Sequence, residues 1–336
     1  MQFATSRHRV SDPYAHAPKS GEFQRLRRRL TRQVQAAIHE YHMIEPGDHL
    51  MVCCSGGKDS YTMLTLLSDL SRRNDLPFTL TAFNLDQGQP GFPTQTLPTY
   101  FDNLGIAHVC HFEDTYSTVV EKTKPGKTTC ALCSRLRRGI IYSKAAEIGA
   151  TKIALGHHSD DVIETLMLNL FFGAQIKAMP PKLSALEGAH TLIRPLFNCE
   201  EASIARFARA MAYPIIPCNL CGSQPNLQRQ AFKSLLNTWE QKFPGRKQAL
   251  FKACKRVVPS HLADTQLFDF EAMESPCASP TANNPADPAD FLAQQISNPT
   301  GFMALLEETP IAEDTISEAS PSEASREENS ALETPT

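Results

Sequence analysis

From Phe23 onward the apolar positions Phe23, Leu26, Leu30, Val34, Ile38 and Tyr41 recur at steps of three or four, a period that predicts an amphipathic helix. Its other face carries Arg25, Arg27, Arg28, Arg29 and Arg32. Ahead of it, residues 1–20 are polar, contain two prolines and predict a loose arm. Glu45-Pro46-Gly47-Asp48 marks a turn, and His49–Cys54 then reads as a short buried strand entering a Gly-Gly turn and a helix to about Leu70. Strands are expected at Phe78–Leu85, Ala107–Phe112, Lys152–Leu155 and Thr191–Ile193. Between and after them, helices are expected within Thr94–Leu104 and over Leu132–Ile148, Asp161–Phe172 and Ala202–Met211. Two more follow at Gln228–Gln241 and Lys247–Arg256. Strands alternating with helices at this spacing predict an α/β fold, a doubly wound parallel sheet covered on both faces. Ligands of such sheets gather at the carboxyl ends of the strands.

The chain divides on paper into a flexible arm (1–20), a basic helix (21–45), a main α/β domain (46–215), a helical segment (216–268) and a tail (269–336). The tail turns to Ser, Pro, Glu, Ala and Thr without periodicity, which predicts disorder. Charge sharpens that division. Residues 271–336 hold 13 acidic residues against Arg326 alone, which leaves 32 basic against 23 acidic in residues 1–270, a net of +9. A basic body with an acidic tail therefore lies behind the formal charge of −3, and the body suits a polyanionic partner. The five arginines of the first helix are either a solvated face or a phosphate-contacting stripe.

No apolar run approaches the ~18 residues of a membrane span, and MQFATSRHRV lacks the apolar core of a secretory signal. A cytoplasmic protein is expected. Ten cysteines in that setting suggest metal binding or chemistry rather than a disulfide framework.

The strongest local signal is Ser55-Gly56-Gly57-Lys58-Asp59-Ser60, between a buried strand and a helix. Glycines there let backbone approach an anion, the helix offers free N–H groups, Lys58 adds a charge, and Ser55 and Ser60 add hydroxyls. The spacing is neither that of a Walker loop nor that of the dinucleotide fingerprint. An ordinary tight turn would also use Gly-Gly, but it has no need of the polar set around it. SGGKDS resembles the pyrophosphate loop of the ATP-pyrophosphatase superfamily, whose members cleave ATP between its α and β phosphates and adenylylate an oxygen of their substrate. A second segment, Gly156-His157-His158-Ser159-Asp160-Asp161, falls at the end of a later strand on the same sheet edge. Carboxylates beside a triphosphate need a cation between them, so Asp59, Asp160 and Asp161 are candidate Mg²⁺ holders. The plainer alternative is an N-cap by Ser159 or Asp160. Asp86 is a weaker candidate of the same kind.

Cys130-Ala131-Leu132-Cys133 and Cys218-Asn219-Leu220-Cys221 are paired at metal-ligand spacing, which by itself leaves zinc and iron–sulfur open. A thioredoxin-like redox pair fits less well. Cys53, Cys54 and Cys110 are expected in buried strands, and Cys199, Cys254 and Cys277 have no partner at ligand spacing.

The run Pro217–Asn226, with Asn84-Leu85-Asp86-Gln87, Pro90-Gly91-Phe92-Pro93 and Val258-Pro259-Ser260-His261-Leu262, resembles the tRNA 2-thiocytidine synthetases over roughly residues 25–265. The resemblance implies an adenine-nucleotide-hydrolase-like sheet and ATP-dependent thiolation of cytidine 32 in the tRNA anticodon loop. It also implies a 4Fe-4S cluster on Cys130, Cys133 and Cys221, with Cys218 as the alternative third ligand. ATP and Mg²⁺ would be held by Ser55–Ser60 with Gly156, His157 and Asp160. Asp59, Asp161 and the three cysteines are the candidate catalytic set. A cysteine desulfurase or other persulfide donor is the implied sulfur source, and a homodimer is expected. Lysidine synthetases share the loop without needing the cysteines, and the related thiouridine enzymes usually add cysteine-rich modules at both ends. A zinc-stabilised RNA-binding module is the non-enzymatic alternative.

Overall fold

A computed structural model describes residues 12–73, 76–123, 130–185, 190–217 and 227–273. The chain separates into two compact units, Met1–Val258 and Pro259–Thr336. The first opens with helix α1 (Gly21–Glu40), capped by the Ser20 hydroxyl, which accepts from the Phe23 N–H. Phe23, Leu26, Leu30, Val34 and Ile38 are buried, as their period requires. Residues 12–20 are not the loose arm expected. Tyr14 is buried edge-on against Phe207, and the Arg27 guanidinium lies 3.6 Å from its ring centroid. Residues 1–11 lie outside the described residues.

Strand β1 (His49–Cys53) is followed by α2 (Lys58–Ser71), β2 (Thr79–Asp86), α3 (Thr96–Leu104) and β3 (His108–Phe112). Helices α4 (Thr115–Lys122) and α5 (Cys130–Glu147) lead to β4 (Lys152–Ala154) and α6 (Ser159–Phe172). Then come β5 (Lys182–Ala185), β6 (His190–Ile193), α7 (Glu201–Ala210), α8 (Leu227–Lys242) and α9 (Arg246–Ala253). The sheet order is β3-β2-β1-β4-β6-β5. All pairings are parallel except β5 with β6, which is antiparallel, so the expected all-parallel sheet gains an edge strand of opposite direction. Elements α4 and β5 are additions to the sequence reading.

Two apolar layers sandwich the sheet. On one side the core joins residues of α1, α2 and α7, among them Leu30, Leu64, Leu67 and Phe207. On the other, Ile141, Tyr142 and Ala145 of α5 cover Met51, Phe83, Ile153 and Leu192. A smaller cluster of Ile163, Met167, Phe232 and Leu236, with Leu250 and Phe251 against it, docks α8 and α9 onto α6. From β1 the chain runs outward through β2 to β3, and from β4 it runs the other way, so the order reverses between β1 and β4. That reversal opens a crevice at the strands' carboxyl ends.

The second unit contributes two 3-10 turns among its described residues, Pro259–His261 and Glu271–Met273. The acidic tail from residue 274 on lies outside the described residues.

Candidate active site

Both loops singled out in the sequence sit at the reversal. Leu50, Met51 and Val52 of β1 pair with Lys152, Ile153 and Ala154 of β4, so Ser55–Ser60 and Gly156–Asp161 leave adjacent strand ends. Gly156 makes the approach possible. A Cβ there would stand 3.2 Å from the Ser60 N and 3.3 Å from the Asp59 carbonyl carbon. Gly56 is constrained twice. Its φ is +81°, and a Cβ would fall 2.6 Å from Ile216 Cδ1, while its carbonyl accepts from the Ile216 N–H at 2.9 Å. Gly57 is the N-cap of α2 and makes no side-chain capping bond, which leaves the first-turn N–H donors of Lys58, Asp59 and Ser60 for an incoming anion. Ser55 is exposed, and the Ser60 hydroxyl donates back to the Gly57 carbonyl at 2.9 Å.

Carboxylates and cations interlock around this turn. Lys58 Nζ lies 3.0 Å from Asp59 Oδ2 and 3.1 Å from Glu201 Oε1, and the same Glu201 oxygen accepts from Lys233 Nζ at 2.7 Å. Burial alone would push the Glu201 carboxyl up, but Lys233 and Lys58 outweigh it and hold it at about 2. Asp160 has both oxygens engaged, Oδ2 by the Glu201 N–H at 2.8 Å and Oδ1 by Lys247 Nζ at 3.0 Å. The N-cap of α6 is His158 rather than Ser159 or Asp160, and Asp161 Oδ2 closes the cap by accepting from the His158 N–H at 3.1 Å. His158 is buried, with Nε2 3.4 Å from Asp161 and 3.7 Å from Asp59. Asp59 Oδ1 is itself buried and has no hydrogen-bond partner. An orphaned carboxylate oxygen beside a nucleotide loop suits a hard divalent cation, and Asp59 offers one.

His157 Nδ1 and Arg194 Nε are also buried without partners. Burial, then Arg194, pushes the His157 pKa down to about 4, so the ring is neutral at pH 7. Asp86 is consumed locally, since its carboxylate accepts from the Gly88 N–H at 3.0 Å and turns the chain after β2.

Cys130 opens α5 and Cys133 follows one turn later. Cys133 Sγ reaches Gln87 Oε1 at 3.5 Å, and Gln87 is the residue after β2, so this thiol lies at the same carboxyl edge as the two loops. Cys218 and Cys221 lie outside the described residues. Cys53, Cys54 and Cys199 suit packing rather than ligation: Cys54 and Cys199 are buried, and burial pushes the Cys53 and Cys199 thiols up to about 12. Cys110 corrects an expectation, because it is exposed on β3 at the sheet's edge rather than buried. Among the described residues no three His, Cys, Asp or Glu side chains stand together as a ready metal site.

Sequence reasoning missed Glu201, Lys233, Lys247 and Arg194. None belongs to a short motif; they reach the site from α7, α8, α9 and the turn after β6 respectively. The one available signal was the basic density of the segment holding α8 and α9.

A family model described as a PP-loop domain matches residues 26–215. The tRNA-cytidine(32) 2-sulfurtransferase of Vibrio cholerae serotype O1 (strain ATCC 39541 / Classical Ogawa 395 / O395) is 57% identical over 252 residues, which cover 75% of this chain and 81% of that protein. The protein of the same name in Chromohalobacter salexigens is 55% identical over 274 residues, 82% of this chain and 93% of its own. Among solved structures, the U34-tRNA thiolase NcsA from Methanococcus maripaludis, with its 4Fe-4S cluster, superposes with a TM-score of 0.57 at 19% identity, over 71% of this chain and 80% of that one. That last likeness is one of fold.

Proposed function

Since the chain belongs to the tRNA-cytidine(32) 2-sulfurtransferase family of PP-loop proteins, we propose that it is a tRNA sulfurtransferase that replaces the C2 oxygen of cytidine 32 with sulfur at the expense of ATP. The C2 oxygen attacks the α phosphate and pyrophosphate leaves; sulfur then adds at C2, and the oxygen departs with AMP. Adenylylation is needed because a carbonyl oxygen is a poor leaving group. The observation that carries the reading is the meeting of the Ser55–Ser60 turn and the Gly156–Asp161 loop at the sheet's reversal, with Cys133 on the same edge.

In this reading the uncapped α2 N-terminus and Lys58 bind the phosphates, and the unpartnered Asp59 oxygen would hold Mg²⁺, which would supply charge neutralisation there. His157, neutral at pH 7, and Arg194 present unspent hydrogen-bonding atoms beside Asp161. Cytidine 32 lies in a loop, where unstacking into the site is cheap. Cys130, Cys133 and Cys221 (or Cys218) would hold the cluster: Cys130 and Cys133 stand a turn apart along α5, a spacing that lets two cysteines share one cluster, and the third would come from a separate stretch of the sequence. Three cysteines would leave a 4Fe-4S cluster one protein ligand short, and the chemistry it would supply there is the sulfide for transfer to C2. The sulfur source would be the outer sulfur of a cysteine desulfurase persulfide, released as sulfide by two electrons from a thiol reductant, and the working form a homodimer in the cytoplasm.

Anaerobic purification with iron, sulfide and zinc analysis tests the cluster, alongside Cys133→Ala and Cys221→Ala. About four irons and four sulfides per chain are expected, lost or made labile in both variants. Stoichiometric zinc without sulfide would leave the ATP chemistry standing and remove the sulfur carrier. The reaction itself is read as 2-thiocytidine in tRNA with equimolar AMP.

A further inference from the structure

The cations nearest the nucleotide turn do not all come from it. Lys233 of α8 and Lys58 share one oxygen, Glu201 Oε1, at 2.7 and 3.1 Å. Lys247 of α9 sits on Asp160 Oδ1 at 3.0 Å, and the other oxygen of Asp160 takes the Glu201 N–H. Three lysines from three helices thus converge on two linked carboxylates at the mouth of an uncapped helix N-terminus. The remaining neighbours are in place as well. Lys58 also touches Asp59, and Lys247 also donates to Asn237 Oδ1 at 2.6 Å. Neither Lys233 nor Lys247 is needed to bury its helix, which Phe232, Leu236, Leu250 and Phe251 do.

We propose that Lys233 and Lys247 complete the polyphosphate cradle of Lys58, with Glu201 and Asp160 serving as resident counter-ions from which the ammonium groups turn when phosphate arrives. The inference rests on the ATP-using reading above. Two physical points support it. A lysine stem is flexible and its ammonium has three donors, so it can keep one carboxylate contact while adding a phosphate oxygen. A triphosphate or pyrophosphate also carries several negative charges where Glu201 offers one to two lysines, so the exchange is favourable. Lys233 and Lys247 are thereby binding residues for the leaving pyrophosphate. Glu201 is the counter-ion that occupies Lys58 and Lys233 until phosphate displaces it.

The test is binding of inorganic pyrophosphate, and separately of AMP, to the full chain by calorimetry in the presence of Mg²⁺. Wild type is compared with Lys233→Met, Lys247→Met and Glu201→Gln, with a melting curve for each. The lysine variants should bind pyrophosphate about tenfold more weakly. Glu201→Gln, which removes the competing charge, should bind it severalfold more tightly, and AMP affinity should hold throughout. That opposition of sign is what a purely structural ion-pair network would not give. Unchanged pyrophosphate affinity in both lysine variants overturns the proposal, as does weaker binding in all three variants with lowered melting temperatures. Failure of the wild type to bind pyrophosphate would take the ATP-using reading down with it. Loss of tRNA thiolation with the expected binding pattern would instead leave the cradle standing.

Discussion

Gly56 shows how much one residue of the turn is asked to do. Its backbone lies in the left-handed region at φ +81°, and the space a methyl would need is filled by Ile216, whose N–H is bonded to the Gly56 carbonyl. Gly56→Ala should therefore destabilise the protein by about 2 kcal/mol or more, combining backbone strain with a forced displacement of Ile216. Urea unfolding reads this directly, and a midpoint equal to that of wild type would refute it. His157 makes a pH prediction. Its folded pKa, about 4, lies below the ordinary 6.5, so between those values the unfolded chain binds a proton that the native ring refuses. Stability should fall as pH drops from 6.5 towards 4, and His157→Gln should flatten that part of the profile; parallel profiles would show that other groups govern it. Gly56, Lys58 and Asp161 were legible because they stand in short runs whose chemistry is local. Glu201 was not, because one glutamate at the start of a helix carries no signal until folding sets it between lysines of α2 and α8.

Elements divide along the same line. Helix α1 was legible from its period, but the role of its arginines was not. Arg27 is drawn inward to Asp69 at 3.4 Å, and Arg29 bonds to Ser203 with Glu200 at 3.8 Å, so these two brace the fold rather than present a free stripe. Arg28 donates to the Gln24 carbonyl of its own helix and stays exposed, as do Arg25 and Arg32. The phosphate-contacting face is therefore better tested by Arg25→Glu, Arg28→Glu and Arg32→Glu together. This triple variant should weaken tRNA binding and reduce the slope of log affinity against log salt by about 3 or more, with thermal stability little changed. An unchanged slope would remove α1 from the RNA surface. The antiparallel β5 escaped notice because Lys-Leu-Ser-Ala is short and only partly buried, follows Pro180-Pro181, and depends for its identity on β6. Helix α4 is a similar case. Its Asp114 cap, which accepts from the Ser117 N–H at 2.9 Å, was visible, but only Thr115 and Val119 are buried along it.

At the scale of the molecule, the doubly wound topology does what no single motif can. It places two loops about 100 residues apart in sequence at neighbouring strand ends, and α5 brings Cys133 to the same edge. No helix among the described residues is long and apolar enough to cross a membrane. Charge is the other whole-chain property. The body, residues 1–270, carries +9 and the complete chain −3, so removing residues 271–336 reverses the sign that an approaching tRNA meets. The Debye length is ~10 Å at 0.1 M salt, so tail charges act on RNA only where they lie close to its path. Every described group assigned to nucleotide or sulfur chemistry also belongs to the first unit. The truncated chain should therefore keep kcat for thiolation within about threefold, while its KM for tRNA falls at low salt and converges with that of the full chain as salt rises. Steady-state kinetics at several ionic strengths separate the outcomes. A lower KM at low salt alone means that the tail only screens the body. An inactive truncation that still binds tRNA means instead that the tail supplies something to the reaction, and the assignment of all its chemistry to the first unit is then wrong.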